Sequence, residues 1–389
     1  MPTDNPTQSP QLEDDFSPGG QCVSRLPTLR DLAEPPPENE NPNALFKDGW
    51  LRKGGAAFFI APSGVGKSVW SMQATILWSM GKPAFGIVPV RPLKIVIVQS
   101  EDDNEEMYAF REDITEGLIR ENLATRQEIE EACGNIGISN GVGRTNEAFA
   151  EMLKTLAHNY DLVIANPFQA YAGIDILRPD QLTTFLRKTL DPVIKQEGKK
   201  LGVIFIHHTN KPPSEKERKA WETGIYSAYS GAGGAELVNW SRAILTLFPV
   251  GEKRLFALSG CKKGDRLGWL DNHGSATNTR YIAHSDGIKF WREPSQDEIA
   301  QALSNKPSTD MAGNARRLAV DILSQGAMTL TEARGKAIAL SGRYHGCKAF
   351  NVIKDNPADY GLALGARTRH GQLIGDPVAI EQAMREQSG

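Results

Sequence analysis

The sequence predicts an α/β fold in which a mostly parallel β-sheet is covered by helices. Short apolar runs rich in Val, Ile and Phe recur through the middle of the chain, and stretches with apolar residues at helical spacing lie between them. Near-continuous apolar runs are typical of strands buried on both faces. The repeated order of strand, helix and strand is typical of layered α/β domains.

This pattern occupies residues 45–293, which we predict to be one domain. Its predicted strands are 56–61, 93–100, 160–167, 201–208, 242–250 and 253–260, and its clearest helices are 68–80 and 146–159. Residues 1–44, which precede the domain, are rich in Pro, Asn, Asp and Glu. Because such a composition buries too little apolar surface to fold alone, we expect a flexible tail there.

The character of the sequence changes after residue 293. We interpret residues 294–310 as a linker and residues 311–389 as a small C-terminal domain. Its predicted elements are helices at 314–326, 330–342 and 347–357, followed by a glycine-punctuated hairpin at 361–377. Three helices followed by a hairpin have the outline of a winged-helix module. A basic face that recognises DNA or a partner protein is consistent with its cations, which include Arg316, Arg317, Arg334, Lys336, Arg343, Lys348, Arg367 and Arg369.

The overall composition limits the classes of function. The 389-residue chain has a formal net charge of −3, so contacts with nucleic acid must come from local basic patches or from the inner wall of a ring. Its four cysteines are far apart and without metal-site spacing, which favours reduced thiols in a cytoplasmic protein over a zinc site. No apolar run of about 18 residues is present and the polar start resembles no secretory signal, so we expect no membrane association.

The stretch APSGVGKS, residues 61–68, lies between the first predicted strand and the first predicted helix. Gly64 and Gly66 permit a turn whose backbone N–H groups converge on phosphate oxygens. Lys67 would reach the terminal phosphates, and the Ser68 hydroxyl would bind Mg²⁺ at the positive end of the helix. The strict motif begins with glycine, and Ala61 matches its looser version. We therefore predict ATP and Mg²⁺ as ligands, bound by Ala61, Pro62, Ser63, Gly64, Val65, Gly66, Lys67, Ser68 and Val69.

An acidic cluster follows the second predicted strand, in the run VIVQSEDD. A carboxylate at the carboxyl end of a buried parallel strand projects into the crevice where such sheets bind ligands. There it can orient the water that attacks a γ-phosphate. We choose Glu101 for this role, with Asp102 or Asp103 as polar support. From position alone, the alternative that the cluster merely begins a helix is supported equally well.

Together, five segments resemble the RecA-like ATPases. They are GWLRKGGAAFFIAPSGVGKS, VIVQSEDD, YDLVIANPFQAY, VIFIHHTNK and SGAGGAELVNWSRAILTL, and their order is most similar to that in plasmid RepA-type hexameric replicative helicases and their phage relatives. The resemblance spans about residues 45–270. It implies a RecA-like core, a homo-oligomeric ring, ATP hydrolysis at subunit interfaces and single-stranded DNA in the central channel. It also implies that Glu101 is the catalytic glutamate.

One position departs from the family pattern. The strand that ends in Asp-Pro in the family ends here in Asn166-Pro167. The family's Asp holds Mg²⁺ through water, and Asn keeps an acceptor oxygen but loses the charge. We expect Asn166, together with Ser68, to bind the metal more weakly and to slow turnover.

The resemblance implies roles for the residues at the end of one further strand and in the polar segment after it. His207 and His208 end a buried strand, and because successive residues face opposite ways only one can face the site. His208 matches the family's γ-phosphate sensor, the alternative being a structural histidine. The polar segment 209–231 would face the channel, unless it is only a solvated loop with balanced charge. Its predicted DNA-binding residues are Lys211, Lys216, Arg218 and Lys219.

A basic turn follows the last predicted strand, in the run LSGCKKGDR. In ring ATPases, cations at this point reach the neighbouring subunit's γ-phosphate and stabilise the transition state. Lys263 and Arg266 are the candidates, and the alternative is a plain basic turn. With Lys67, Glu101 and His208 they complete the predicted catalytic set.

The function that these features favour is an ATP-dependent, ring-forming DNA helicase or translocase. Its C-terminal domain would contact DNA or other replication proteins. Two alternatives remain open. One is an ATP-switched DNA-binding or regulatory protein with weak hydrolysis, which Asn166 favours. The other is a RecA-like recombination or repair ATPase.

Overall fold

A computed structural model describes residues 28–210, 224–250, 255–271, 274–304, 311–368 and 371–386. The chain divides after Pro42 into two compact units. The described part of the first unit contains a 3₁₀ turn, Leu29–Asp31. Residues 1–27 of the predicted tail lie outside the described ranges. The second unit, Asn43–Gly389, contains the sheets and the α-helices.

A nine-stranded, mostly parallel sheet organises the second unit and confirms the predicted α/β class. Its strands are β1 Ala56–Ala61, β2 Ile95–Gln99, β3 Ile136–Asn140, β4 Leu162–Asn166, β5 Gly202–His208, β6 Ala243–Pro249, β7 Leu255–Lys262, β8 Thr279–His284 and β9 Trp291–Arg292. They are ordered β3-β2-β4-β5-β1-β6-β7-β8-β9. The pairs from β3 to β6 are parallel, and the pairs from β6 to β9 are antiparallel.

Both faces of the central strands are buried, as their apolar runs predict. Successive residues alternate between two hydrophobic cores, one on each face of the sheet. Phe59 stacks on Trp70 in one core, with ring centroids 4.0 Å apart. Phe58 packs in the other core against Phe168 and Phe205.

Helices cover the sheet and connect its parallel strands. They are α1 Lys67–Ser79, α2 Asn104–Arg120, α3 Arg126–Cys133, α4 Glu147–Leu156, α5 Phe168–Ala172, α6 Pro179–Thr184, α7 Asp191–Ile194, α8 Gly234–Trp240 and α9 Gln296–Ser304. Among the described residues, no helix combines the length and apolar character needed to cross a bilayer.

Several elements lie outside the strands and helices that the sequence analysis names, and those nearest the ends of the sheet are described here. β3 is a partly exposed edge strand with no long apolar run, and β8 and β9 belong to the antiparallel end of the sheet. Helix α9 lies inside the expected linker at 294–310, and its Ala302 packs against Val250 and Leu255.

The C-terminal part of the second unit has a core and a sheet of its own. Its helices are α10 Met311–Ser324, α11 Leu330–Asp355 and α12 Pro377–Glu386, and its strands are β10 Ala327–Thr329, β11 Ala363–Thr368 and β12 Gly371–Gly375. The antiparallel sheet has the order β10-β12-β11 and includes the predicted hairpin. Leu318, Ala337, Phe350 and Ile374 share one buried cluster.

The two helices predicted at 330–342 and 347–357 belong to one helical element, α11, which folds back on itself. A Cβ at Gly346 would overlap the carbonyl oxygen of Ala337, nine residues earlier. In a straight helix residues nine apart are about 13 Å apart along the axis, so the chain must reverse between them. The Arg334 guanidinium lies 3.8 Å from the Cys347 Sγ for the same reason.

We expect Gly346→Ala to destabilise the C-terminal core by about 1–3 kcal/mol, because the added methyl group has no space at the reversal. Gly335→Ala, earlier in the same helix, is the matched control. No atom lies within 4 Å of its Cβ position, so Gly335→Ala should be neutral or stabilise the helix by about 0.5–1 kcal/mol. Hydrogen exchange of α11 amides in the full chain measures both effects. Equal exchange in the two variants would contradict the fold-back.

Candidate nucleotide-binding site

The carboxyl ends of four parallel strands meet at one edge of the sheet. Ala61 at the end of β1 lies beside His208 of β5, and Gln99 at the end of β2 lies beside Asn166 of β4. The side chains at and after these ends therefore surround one cavity of about 940 Å³. The sequence-predicted residues that line it are Ser63, Gly64, Val65, Gly66, Lys67, Ser68, Val69, Glu101, Asn166 and His208.

The loop between β1 and α1 has the backbone of a phosphate-binding turn. Gly64 and Gly66 have φ values of 76° and 92°, a region that side chains with a Cβ rarely adopt. Gly66 is the N-cap of α1, so the positive end of the helix faces the cavity. Ala61 is the buried last residue of β1, and Pro62 presents its carbonyl oxygen to Lys67.

Lys67 and His208 are in direct contact. The Lys67 Nζ donates to the Pro62 carbonyl oxygen at 2.9 Å and lies 3.2 Å from His208 Nδ1. Because an ammonium group can only donate, Nδ1 accepts and the imidazole is neutral. Burial lowers the pKa of Lys67 to about 8, against the opposing field of Glu101. Burial, and then the charge of Lys67, lower the pKa of His208.

Asn166 and Ser68 form the polar floor of the cavity. The Asn166 side chain is 3% exposed, its Nδ2 donates to Ser68 Oγ at 3.3 Å, and its Oδ1 has no hydrogen-bond partner. A buried amide oxygen without a donor beside a hydroxyl fits Mg²⁺, which prefers hard oxygen ligands. The described residues contain no cluster of three or more His, Cys, Asp or Glu suited to a metal ion. Phosphate and water oxygens would therefore supply most of the ligands.

The acidic residues after β2 differ in position. One of them faces the cavity, as a catalytic carboxylate would, and another begins a helix. Glu101 lines the cavity, whereas Asp103 is the N-cap of α2 and accepts from the Glu106 N–H at 2.8 Å. The Asp102 N–H donates to the side chain of the buried Gln99 at 2.9 Å. Glu101 is thus the carboxylate of this run that faces the cavity, while Asp103 begins the helix.

An aromatic wall closes the cavity on the side of the antiparallel strands, and sequence reasoning missed it. Trp291 of β9 donates its indole N–H to the Gly66 carbonyl oxygen at 3.2 Å, and His284 Nε2 lies 3.2 Å from the Val65 carbonyl oxygen. Phe256 packs against both rings, with centroid distances of 5.0 Å. Single aromatic residues on short antiparallel strands carry no motif, so only the folded chain identifies them.

Gln73 attaches this wall to α1. Its side-chain amide donates to the Trp291 carbonyl oxygen at 2.8 Å, and its side-chain oxygen accepts from the Trp291 N–H at 2.9 Å. Gln73 is 2% exposed. Inside the core, its side chain forms with the Trp291 backbone the two hydrogen bonds that a neighbouring strand would otherwise form. The wall and the loop are thereby held to one helix.

His207 and His208 face opposite ways. His207 is fully buried, its Nε2 lies 2.7 Å from the Ala232 carbonyl oxygen, and burial lowers its pKa to about 4. Thr209 and Asn210, directly after β5, pair with Gly231 and with the Ser230 carbonyl oxygen. Both ends of the intervening polar segment are therefore attached beside the cavity. The predicted DNA-binding residues Lys211, Lys216, Arg218 and Lys219 lie outside the described residues.

Lys263 and Arg266 do not line the cavity. β7 runs antiparallel to β6, so its end lies at the opposite edge of the sheet from the phosphate loop. There Lys263 Nζ and Arg266 Nη1 lie 3.4 Å from the Gly49 carbonyl oxygen. Burial lowers the pKa of Lys263, and so do nearby cations, Arg266 first among them. Contact with the phosphates of the same subunit is excluded by this position.

The neighbouring Lys262 has a structural role instead. Its ammonium group donates to the carbonyl oxygens of Val238 and Ser241, at 2.5 and 2.6 Å, and so caps the carboxyl end of α8.

Comparison with known proteins supports the nucleotide-binding interpretation. Residues 22–214 match a family model described as an AAA domain, a range that contains the phosphate loop, Glu101, Asn166 and His208. The chain is also similar to the crystal structure of the RadB recombinase, with 13% identity over 62% of this chain and 92% of that one and a TM-score of 0.39. A structural similarity of this size supports no conclusion about activity. No curated protein sequence matches the chain.

We expect Trp291→Phe to weaken nucleotide binding by roughly 2- to 12-fold, the equivalent of one hydrogen bond of about 0.5–1.5 kcal/mol. The reason is that the indole N–H fixes the Gly66 carbonyl oxygen of the phosphate loop. Trp240→Phe is the control, since its indole bonds Asp191 and lies outside the cavity. Titration of a fluorescent ATP analogue compares them. Similar losses of affinity in both variants would show that the effect is general destabilisation.

Proposed function

We propose that this chain hydrolyses ATP and uses the reaction to move along single-stranded DNA as a ring-forming helicase or translocase. The observation that supports it is the convergence of Lys67, Ser68, Glu101, Asn166 and His208 on one cavity. Phosphate-loop chemistry needs a loop of N–H donors, a lysine, a metal-binding hydroxyl and a residue that positions the nucleophile. The cavity offers all of these groups.

The phosphates of ATP would lie against the loop and the first turn of α1. The N–H groups of the loop and the Lys67 ammonium would donate to the phosphate oxygens. Ser68 and Asn166 would hold Mg²⁺, which neutralises charge on the phosphate oxygens when it is bound. Below its pKa of about 8, Lys67 is charged, so it can act on the phosphates at neutral pH.

Glu101 would act on water. Its carboxylate accepts a proton as the water oxygen bonds to the γ-phosphorus, and the bond to the bridging oxygen breaks to release ADP. His208, neutral and next to Lys67, is positioned to respond to the γ-phosphate through that contact. The reaction products are ADP and inorganic phosphate.

The same strand would transmit the reaction to DNA. β5 carries His208 toward the cavity and His207 toward Ala232, and Thr209, the residue directly after β5, pairs with Gly231. A change at His208 would therefore act on both attachments of the segment that contains Lys211 and Lys219. Positive side chains there would contact the DNA backbone.

The position of Lys263 and Arg266 supports the proposal that several subunits assemble. Since they lie at the edge opposite their own cavity, a role in hydrolysis requires the cavity of a neighbouring subunit. A head-to-tail arrangement that closes gives a ring. In that ring these cations would stabilise charge on the neighbour's γ-phosphate.

A second candidate function is an ATP-switched DNA-binding protein with weak hydrolysis. The observation that favours it is Asn166, since a carboxylate at this position would give a stronger, charge-assisted interaction with hydrated Mg²⁺. ATP would then control assembly instead of driving movement.

We expect Glu101→Gln to lower the rate of ATP hydrolysis by about 10²- to 10⁴-fold while ATP binding stays within a few-fold of the parent. The amide keeps the shape of the carboxylate but is not a base. Asp103→Asn is the matched control, because Asn caps helices about as well as Asp and the side chain serves α2. Phosphate release and ATP-analogue binding provide the two measurements. A Glu101→Gln protein that hydrolyses ATP at the parent rate would remove the proposed base.

We expect Asn166→Asp to reduce the Mg²⁺ concentration for half-maximal hydrolysis by roughly 5- to 10-fold, since a charge-assisted contact replaces a neutral one. An unchanged Mg²⁺ dependence would show that this position does not contact the metal.

Strand displacement by the parent separates the two candidate functions. Displacement that requires ATP supports the motor, whereas ATP-dependent assembly on DNA without displacement supports the switch.

A further inference from the structure

A second cavity, of about 270 Å³, lies at the amino ends of the parallel strands. It is lined by Gly55 directly before β1, by Arg242 directly before β6 and by Lys262 at the end of β7. It therefore lies at the edge of the sheet opposite the phosphate loop. Of the residues that the structure describes, none lines both cavities.

Positive side chains dominate the lining of the second cavity. The cations that line it are Arg187, Lys195, Arg242, Lys262 and Lys263. Asp191 is the one carboxylate among its described lining residues. That carboxylate is already bound to Lys195 at 2.8 Å and to the Trp240 indole N–H at 2.9 Å. The excess of positive charge favours an anionic ligand.

The two neighbouring lysines show that this positive charge is crowded. Burial lowers the pKa of Lys262, and the charge of Arg242 lowers it further. Burial also lowers the pKa of Lys263, followed by the charges of Arg266, Arg242, Arg52 and Lys262. Every neighbour that shifts these pKa values is thus a cation. A bound anion would relieve the repulsion among them.

The lining also contains hydrogen-bond donors with no acceptor. Ser241 is 1% exposed, and its Oγ forms no hydrogen bond among the described residues. A buried hydroxyl without a partner costs free energy that an acceptor on a ligand would recover. The Lys262 ammonium group donates two protons to the Val238 and Ser241 carbonyl oxygens and keeps a third. Arg242 is exposed and forms no ion pair within the described part of the chain.

We propose that the second cavity binds a small phosphate anion, with Ser241, Arg242 and Lys262 as donors. A hydroxyl, a guanidinium and an ammonium group all match phosphate oxygens, which are acceptors. The volume lies just below the range of about 300–1,000 Å³ that is typical of sites for drug-sized ligands, so it suits inorganic phosphate or pyrophosphate. This ligand is additional to the ATP and DNA of the proposed function, and the site does not depend on that function.

The proposal is tested by fluorine NMR of the full chain labelled with 5-fluorotryptophan and titrated with sodium phosphate in the absence of ATP. Trp240 lines the second cavity and Trp291 lines the nucleotide cavity, so each ring reports on one site. Trp240→Phe and Trp291→Phe assign the two signals. We expect phosphate to shift the Trp240 signal, and pyrophosphate to shift it at a lower concentration because it carries more charge.

Variants of the lining should weaken this response. Ser241→Ala should raise the phosphate concentration that half-saturates the Trp240 shift by about tenfold, since a hydrogen bond to a charged group is lost. The variant removes a hydroxyl without a partner, so it should fold. Arg242→Gln should have an effect of about the same size. Arg317→Gln is the matched control, because Arg317 is exposed on α10 and does not line the cavity.

Several results would overturn the proposal. They are a shift of the Trp291 signal alone, the same Trp240 shift with sodium chloride at equal ionic strength, a parent-like response of Ser241→Ala, and equal losses in Arg242→Gln and Arg317→Gln. A Trp240 shift that requires ATP would assign the cavity to a neighbouring subunit's nucleotide, and a stronger response to a single-stranded oligonucleotide would assign it to the DNA backbone. Lys67→Ala should keep the parent response, so a failure of ATP binding would not be mistaken for a failure of this site.

Discussion

The parallel arrangement of β1, β2, β4 and β5 is the constraint on which the site depends. Parallel strands end at one edge of the sheet. At that edge lie the loop after β1, Glu101 after β2, Asn166 on β4 and His208 on β5. Lys67 of the loop therefore meets His208 although about 140 residues separate them in the sequence. The aromatic cores on both faces keep that edge fixed. A register shift of one residue would exchange His207 with His208 and remove the partner of Lys67.

The antiparallel strands add a wall that holds the loop in shape. Trp291 and His284 contact the carbonyl oxygens of Gly66 and Val65, and Gln73 attaches the wall to the helix that the loop begins. These two carbonyl oxygens are thereby occupied, and in the proposed scheme the N–H groups of the loop would bind the phosphate oxygens. Preorganisation of this kind lowers the ordering cost of binding a ligand.

The two edges of the sheet serve different partners in the proposed scheme. The edge with the phosphate loop holds the nucleotide, and β5 connects it to the polar segment proposed for single-stranded DNA. The opposite edge carries Lys263 and Arg266 for a neighbouring subunit. The C-terminal core is built on its own small sheet, and the residues of its buried cluster do not line the cavity.

The sequence alone determined the features that are local. The apolar runs predicted the buried parallel strands, APSGVGKS predicted the turn with its left-handed glycines, and regularly placed glycines predicted the C-terminal hairpin. Only the tertiary structure decided which acidic residue of VIVQSEDD faces the cavity and that α11 reverses before Gly346. It also decided that Trp291 and His284 contact the carbonyl oxygens of the phosphate loop. Those facts arise from contacts between residues distant in sequence. Local patterns report backbone preference and periodicity, whereas such contacts depend on strand order and on the packing of the whole sheet.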